Sequence, residues 1–284
     1  TLSYDHYALL AELSWRKTCI LSDYYYNLAV VANNARALTK KLGKDVPAYI
    51  YLQSMGFEGK RNLENYEMWA WQCYTSLAFG MQGIQAFCYF SMFKDEDGDG
   101  YAISNALIDR YGKKTETYAY VQRVLKDIKA LESAYFAYDW EGAKGYSVGE
   151  PSDLMAYWKD LQMECLQDVQ TVETDQELLI GQFANRENNG KKAYFVTNAA
   201  NPYPENGTPT ANVTLQLIGK TAATIYKQDG VKEKMALQDG ALSLQIPCGV
   251  GYFIEMERTL SHLLLQLLSS NDLNAQIILM KKIQ

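Results

Sequence analysis

The stretch Ile84-Gln85-Ala86-Phe87-Cys88-Tyr89-Phe90 carries no charge and no strict alternation of apolar and polar residues. A strand covered on both faces reads this way, because neither side has to meet water. Gly80 and Gly83 precede it, at the end of a helical pattern, and a polar glycine-rich segment at 94–100 follows it. Helix, glycine turn, buried strand and loop make one step of an α/β barrel or a doubly wound sheet. In both architectures functional residues sit where strands end and loops begin. The segment after Phe90 is therefore expected to face a ligand.

The same step can be traced upstream and downstream. Residues 2–7 read as the end of a strand. Asp23 is placed to cap a helix over 24–42, with Leu28, Val31, Ala32, Ala35 and Leu38 on one face. Lys40 and Lys41 suit its C-terminal dipole, and Gly43 stops it. A second buried strand is expected over 46–52, left through Gln53-Ser54-Met55-Gly56. Asn62 or Asn65 can open a helix through Phe79 that turns Tyr66, Trp69, Ala70, Cys73, Tyr74 and Leu77 inward. Trp69 and Trp71 read as packing residues. A third helix over 114–131 places Tyr118, Val121, Val124, Leu125, Ile128 and Leu131 on its inner face. Strand–helix alternation of this kind demands a parallel sheet. Three strands are too few to close a barrel, which needs eight.

The pattern changes after Tyr138. Short runs at 144–148, 178–183, 193–198, 212–217, 223–226, 241–246 and 251–255 replace helices, and turn clusters at 187–190, 201–209 and 228–230 separate them. That is the signature of an antiparallel β-sandwich. The expected organisation is an α/β domain over 1–140, a β-sandwich over 141–257 and a helical tail over 258–284.

Composition removes several classes of function. With 48% hydrophobic and 21% charged residues the chain has the make-up of a globular protein with a sizeable core. A net charge of −6 without a Lys/Arg cluster speaks against a nucleic-acid partner. No apolar run reaches the roughly 18 residues of a membrane span, so no membrane partner is expected. Two histidines and five cysteines without CxxC spacing exclude a His-rich or zinc-ribbon site. Asp95-Glu96-Asp97-Gly98-Asp99-Gly100 begins like a calcium loop, yet its twelfth position is Ala106 where a bidentate Glu is needed. A solvated acidic turn is the plainer reading, and no metal or cofactor is expected. The 22 tyrosines and 5 tryptophans supply flat amphipathic surfaces, suited to sugars and equally to a sandwich core.

A set of local sequences goes further. Tyr4-Asp5-His6-Tyr7, Tyr51-Leu52-Gln53-Ser54, the run from Arg61 through Trp71-Gln72-Cys73-Tyr74-Thr75-Ser76-Leu77-Ala78-Phe79-Gly80-Met81-Gln82-Gly83-Ile84 to Tyr89-Phe90, and Ile108-Asp109-Arg110-Tyr111-Gly112-Lys113-Lys114-Thr115 together resemble the C-terminal part of β-galactosidase-like glycoside hydrolases, retaining TIM-barrel enzymes of the clan that includes family 42. The likeness covers about residues 1–135, and the later strands are similar to the accessory sandwich such enzymes often carry. It implies α/β plus all-β: strands six to eight of a partial (β/α)8 barrel followed by an antiparallel β-sandwich. Strands one to five, with the acid/base Glu, would then lie upstream. Parent enzymes of this type are often exported. The expected partners are a carbohydrate substrate and either the missing N-terminal barrel half or a second copy of the chain.

Glycoside hydrolysis needs two carboxyl groups flanking the bond, about 5 Å apart for retention. The clan places its nucleophilic Glu at the end of strand seven, a position that corresponds here to Gln53, and an amide cannot attack as a carboxylate does. Asp5, Glu58 and Glu64 are the nearest alternatives, with Asp5 and Glu58 taken as the catalytic candidates. His6, Tyr7, Gln53, Tyr89 and Phe90 are the substrate-binding candidates. For Asp5, His6 and Tyr7 a strand-end network is the competing assignment; for Gln53 it is a satisfied buried amide, and for Tyr89 and Phe90 core packing. The leading function is hydrolysis of β-linked sugars. The alternatives are a non-catalytic carbohydrate-binding or scaffold protein descended from such an enzyme, and an unrelated α/β domain with a sandwich attached.

Overall fold

The computed structural model of the chain describes residues 1–10, 23–57, 63–92, 103–188 and 190–258. Three strands run parallel, β1 (Leu2–Asp5), β2 (Ala48–Gln53) and, after a two-residue β3 (Gly56–Phe57) that pairs antiparallel with an equally short β5 (Ile103–Ser104), β4 (Gly83–Phe87). Their order is β1-β2-β4, with Tyr4 beside Ile50 and Ile50 beside Ile84. Along β2 the side chains alternate: Ala48, Ile50 and Leu52 are buried, while Tyr49 and Tyr51 keep partial exposure. All five residues of β4 are likewise half-buried. Ile84 and Ala86 pack on the main core and Phe87 and Cys88 on a small cluster of Met55, Ile103 and Ala106, so both faces of the run are covered only in part.

The expected partial (β/α)8 barrel is not what the chain builds. Among the described residues no barrel closes: the parallel sheet stops at three strands, with β1 and β4 as its edges. The fold is instead β-sandwich-like and mainly antiparallel. A repeated strand–helix unit specifies that neighbouring strands run parallel, but it carries no information on closure, which depends on strand number and shear.

Each helix starts and stops for local reasons. Helix α1 (Tyr24–Leu42) ends at Gly43, whose φ of 64° lets its N–H reach the Thr39 carbonyl at 3.0 Å. Asp23 precedes the helix without making a side-chain cap bond. Helix α2 (Tyr66–Ala78) is opened by Asn65, whose side-chain oxygen accepts the Met68 N–H at 2.8 Å. Helix α3 (Glu116–Tyr135) buries Val121, Val124 and Leu131, whereas Leu125, expected inward, is exposed. A short α4 (Asp153–Tyr157) completes the α-helices of the described residues.

Helix α2 does not have one inner face. Every residue from Met68 to Ala78 is buried, including Trp71, Gln72, Thr75 and Ser76, which lie off the expected apolar stripe. A helix hydrophobic all round is one covered all round. One side meets the parallel sheet, and the other meets a six-stranded sheet of order β12-β11-β14-β9-β8-β6. Its strands are β6 (Tyr138–Tyr146), β8 (Leu178–Asn185), β9 (Lys192–Asn198), β11 (Lys220–Tyr226), β12 (Lys232–Ala236) and β14 (Gly251–Arg258). The approach is close enough to require glycine. A Cβ on Gly181 of β8 would sit 2.0 Å from the Ala78 carbonyl oxygen, and one on Gly249 would sit 2.6 Å from that of Glu67. Side chains from the sheet also bond the helix backbone. The Trp140 indole N–H donates to Ala78 O at 3.0 Å, and Thr197 Oγ1 to Tyr74 O at 3.4 Å.

A three-stranded sheet, β13-β10-β7, forms the outer layer, built from β7 (Val169–Thr174), β10 (Ala211–Leu217) and β13 (Ala241–Ile246). Its buried Val213, Leu215, Leu242, Leu244 and Ile246 belong to the same continuous apolar core as Ile180, Val196, Trp71 and Ile50. The sequence runs at 178–183, 193–198, 212–217, 223–226, 241–246 and 251–255 all fall within these strands. β7 and β12 escape the sequence pattern because VQTVET and KEKMA hold consecutive polar or charged residues, Gln170-Thr171, Glu173-Thr174 and Lys232-Glu233-Lys234, in place of an apolar run. Both are edge strands, where exposed charge blocks further pairing.

Replacing Gly181 with Ala is expected to lower stability by about 3 kcal/mol, since neither sheet nor helix backbone can yield to an added methyl; urea denaturation against the wild type checks it. A second expectation concerns alkali. Burial pushes the phenols of Tyr24, Tyr25, Tyr74 and Tyr135 above their ordinary value of 10.0. Because the folded pKa is raised, this stabilisation is complete below the unfolded pKa and is lost as pH climbs towards the folded one. Stability should be level through neutral pH and fall steeply above about pH 10. The share of the ultraviolet phenolate absorbance that belongs to these buried tyrosines should appear only with unfolding, and ionisation of every tyrosine in a still-folded protein would contradict this.

Candidate functional site

The C-terminal ends of β1, β2 and β4 lie side by side, because parallel strands all point their ends the same way. Register and the period of two place Ser3 and Asp5, Tyr49 and Tyr51, and Gln85 and Phe87 on the face turned away from the helices. Asp5 stands beside Tyr51, and Tyr51 beside Gln85. The Tyr49 ring lies over Gly83, where a Cβ would come within 2.5 Å of it.

Just past β1 the chain brings Tyr7 back over this face. Its ring stacks on Phe87 with centroids 5.2 Å apart and planes 22° apart. Burial raises the Tyr7 phenol well above its ordinary pKa, and the negative charge and hydrogen bond of Asp5 add to the effect. Tyr7 is therefore a neutral donor held by the Asp5 carboxylate. Asp5 itself is exposed. Tyr89 and Phe90, immediately beyond β4, are 63% and 45% exposed, so their rings lie open to solvent. Asp5, Tyr7, Tyr89 and Phe90 thus gather at one end of the sheet.

His6 and Gln53 are engaged within the protein instead. His6 turns back onto helix α1: its ring meets Tyr24 edge-on at 5.1 Å, and Nε2 lies 3.6 Å from Asp23 Oδ1. Asp23, at φ −93° and ψ 0°, lacks the extended backbone of an N-cap and makes no cap bond. Gln53 is 0% exposed, and its amide N–H donates to the Met55 carbonyl at 2.9 Å. It is a buried amide at a strand end rather than a group open to a sugar. Glu58 lies outside the described residues, as do the acidic segment at 94–100 and residues 259–284. Glu64 is exposed just before α2.

The residue that organises the strand end is one that spacing did not single out. Gln72 of α2 accepts the Gln53 backbone N–H at 3.0 Å and donates to the Gln53 carbonyl at 3.0 Å. Its side chain continues the sheet's hydrogen bonding into the helix, as a peptide group would. Ser54 joins the two neighbouring exits, its N–H donating to Phe87 O at 2.7 Å and its hydroxyl to Cys88 O at 3.2 Å. The Phe87–Cys88 peptide is cis. Burial raises the Cys88 thiol above its ordinary value, so it rests as a thiol. A glutamine in the middle of WAWQCYTS was the available signal for Gln72, since an amide inside an apolar helix must find partners.

Two carboxylates surround the end of β1. Tyr4 has its phenol raised by burial first, then by Tyr24 and by the charges of Asp23 and Asp5. Among the described residues no group of three or more His, Cys, Asp and Glu is placed to hold a metal ion. The arrangement offers flat aromatic faces, one neutral phenol donor and an exposed carboxylate acceptor. These groups suit a neutral polyhydroxylated ligand whose C–H faces stack and whose hydroxyls bond.

The chain matches no protein-family model, and no curated protein sequence is significantly similar to it.

Gln72→Leu should destabilise the protein by about 3 kcal/mol, because it leaves a buried N–H and a buried carbonyl of Gln53 without partners. Thermal and urea unfolding measure the loss, and a change below about 1 kcal/mol would show that the bridge contributes little.

Proposed function

We propose that this chain presents the sugar-facing surface of a β-galactosidase-like glycoside hydrolase that acts on β-linked saccharides. The observation that carries the proposal is the gathering of Asp5, Tyr7, Tyr89 and Phe90 at one end of three parallel strands. In this reading Tyr89 and Phe90 form an apolar platform under a pyranose ring. Asp5 accepts from a sugar hydroxyl or serves as one of the two carboxyl groups that glycosidic cleavage requires. Tyr7 gives its one phenol proton to Asp5, which fixes the carboxylate, and accepts from a sugar hydroxyl through its oxygen.

One observation favours a second reading, a carbohydrate-binding protein without turnover. Gln53, at the place where the resemblance puts the nucleophile, is a buried amide committed to bonds within the protein. Binding then remains while bond cleavage does not.

Calorimetric titration of the full chain with lactose separates these cases. Tyr89→Ala and Asp5→Asn should each weaken binding about tenfold, the worth of one ring contact or one charge-assisted hydrogen bond. Release of p-nitrophenol from its β-galactoside, abolished by Asp5→Asn, supports the hydrolase. Binding without turnover leaves the second reading standing. Absence of binding by lactose, cellobiose and xylobiose alike rejects both.

A further inference from the structure

A separate cavity of about 450 Å³ opens at the opposite end of the parallel sheet, near the starts of β2 and β4. Helix α1, the loop before β2, strand β6 and the end of β8 form its walls. We infer that this cleft is a second saccharide-binding site, independent of the groups at the strand ends.

Its size lies within the range of small-molecule sites, and its chemistry narrows the class of ligand. Three basic side chains, Arg36, Lys40 and Arg186, face three acidic ones, Asp45, Asp139 and Glu141. Beneath the wall Lys192 pairs with Glu141 at 2.7 Å, so the total stays within one charge of neutral. A phosphate or nucleotide site needs an excess of cations, and a metal site a cluster of anions. A balanced wall suits a neutral ligand with many hydroxyls, each able to donate to a carboxylate and accept from a guanidinium.

The polar groups are held apart in fixed positions. Arg186 braces two carboxylates, with Nη1 3.0 Å from Asp45 Oδ2 and Nη2 2.9 Å from Asp139 Oδ1. Arg36 Nη1 donates to the Glu141 carbonyl at 2.5 Å. The side chains of Asp45 and Asp139 remain 64% and 62% exposed, so each keeps oxygen lone pairs facing the cleft. Ion pairs this exposed add little to stability, which leaves their convergence on one cavity unexplained by folding alone. Trp140 completes the set. Its Cβ sits where a side chain on Gly80 would stand, 2.5 Å from an ideal Cβ there, and its indole N–H is fixed to Ala78 O. A half-buried, immobilised indole beside paired carboxylate and guanidinium groups is a stacking wall for the apolar face of a sugar ring.

The test uses the isotope-labelled full chain titrated with lactose, cellobiose and maltose, and separately with inorganic phosphate. The Trp140 indole and Arg186 guanidinium N–H signals are followed by proton–nitrogen correlation spectroscopy. At least one sugar should shift both signals saturably, and should still do so in an Asp5→Asn/Tyr89→Ala protein. Asp139→Ala should weaken that response about tenfold. Lys40→Met, on the exposed helix surface, provides a second variant should Asp139→Ala fold poorly, and it should weaken the response as well. Phosphate should leave the signals unmoved. The inference is overturned if none of the three sugars moves the Trp140 indole, if phosphate moves it equally, if the double variant abolishes the shifts, or if folded cleft variants bind like the wild type.

Discussion

The burial of helix α2 on all sides is the constraint from which the rest of this structure follows. A helix between two sheets must present small or apolar groups in every direction, and the sheets must yield space where backbones meet. Met68 to Ala78 meet the first condition except at Gln72, whose amide is paired with the Gln53 backbone, and Gly181 and Gly249 meet the second. Hydrophobic burial supplies the driving force, while Tyr135, Trp140 and Thr197 satisfy helix carbonyls near the end and middle of the helix. The Tyr135 hydroxyl lies 3.0 Å from both Leu77 O and Met81 O, closing the last turn with a phenol from α3. Two aromatic groups pack around this axis. Tyr24, Tyr25, Trp71, Phe79 and Trp158 form one, and Tyr135, Phe183, Phe195 and Phe253 the other.

The same helix sets the geometry of the strand ends. Through Gln72 it holds both backbone groups of Gln53, and Ser54 then carries that position across to Phe87 and Cys88. The exit of β4, and with it Tyr89 and Phe90, is therefore located by a chain of buried bonds beginning in the core. The exposed groups at the rim owe their placement to buried residues of the core.

Much of the local structure was legible in the sequence. Gly43 and Asn65 mark helix ends for reasons of backbone geometry and side-chain bonding, and apolar runs locate β2, β4, β8, β9, β10, β13 and β14. Closure was not legible, since Leu2, Ile50 and Ile84 would look the same in a barrel or in an open sheet. Edge strands β7 and β12 were hidden by the polar residues that suit an edge. Of the candidate residues, Asp5, Tyr7, Tyr89 and Phe90 lie at the strand ends where their sequence positions put them, whereas His6 packs towards Asp23 and Tyr24 and Gln53 bonds Met55. The cleft could not be read at all: Asp45, Asp139 and Arg186 are far apart along the chain and meet only because β6 and β8 pack beside α1.

Because α2 has one flank on the parallel sheet and the other on the antiparallel one, the later strands are not a detachable appendage. Removing them would strip Tyr74 and Trp71 of their cover and leave two aromatic surfaces in water. Exchange of this sandwich for another by recombination would succeed only with a replacement that also brought glycines opposite Ala78 and Glu67. A fold organised in this way inherits its two layers together, and sequence drift on either side of the shared helix is answerable to the other.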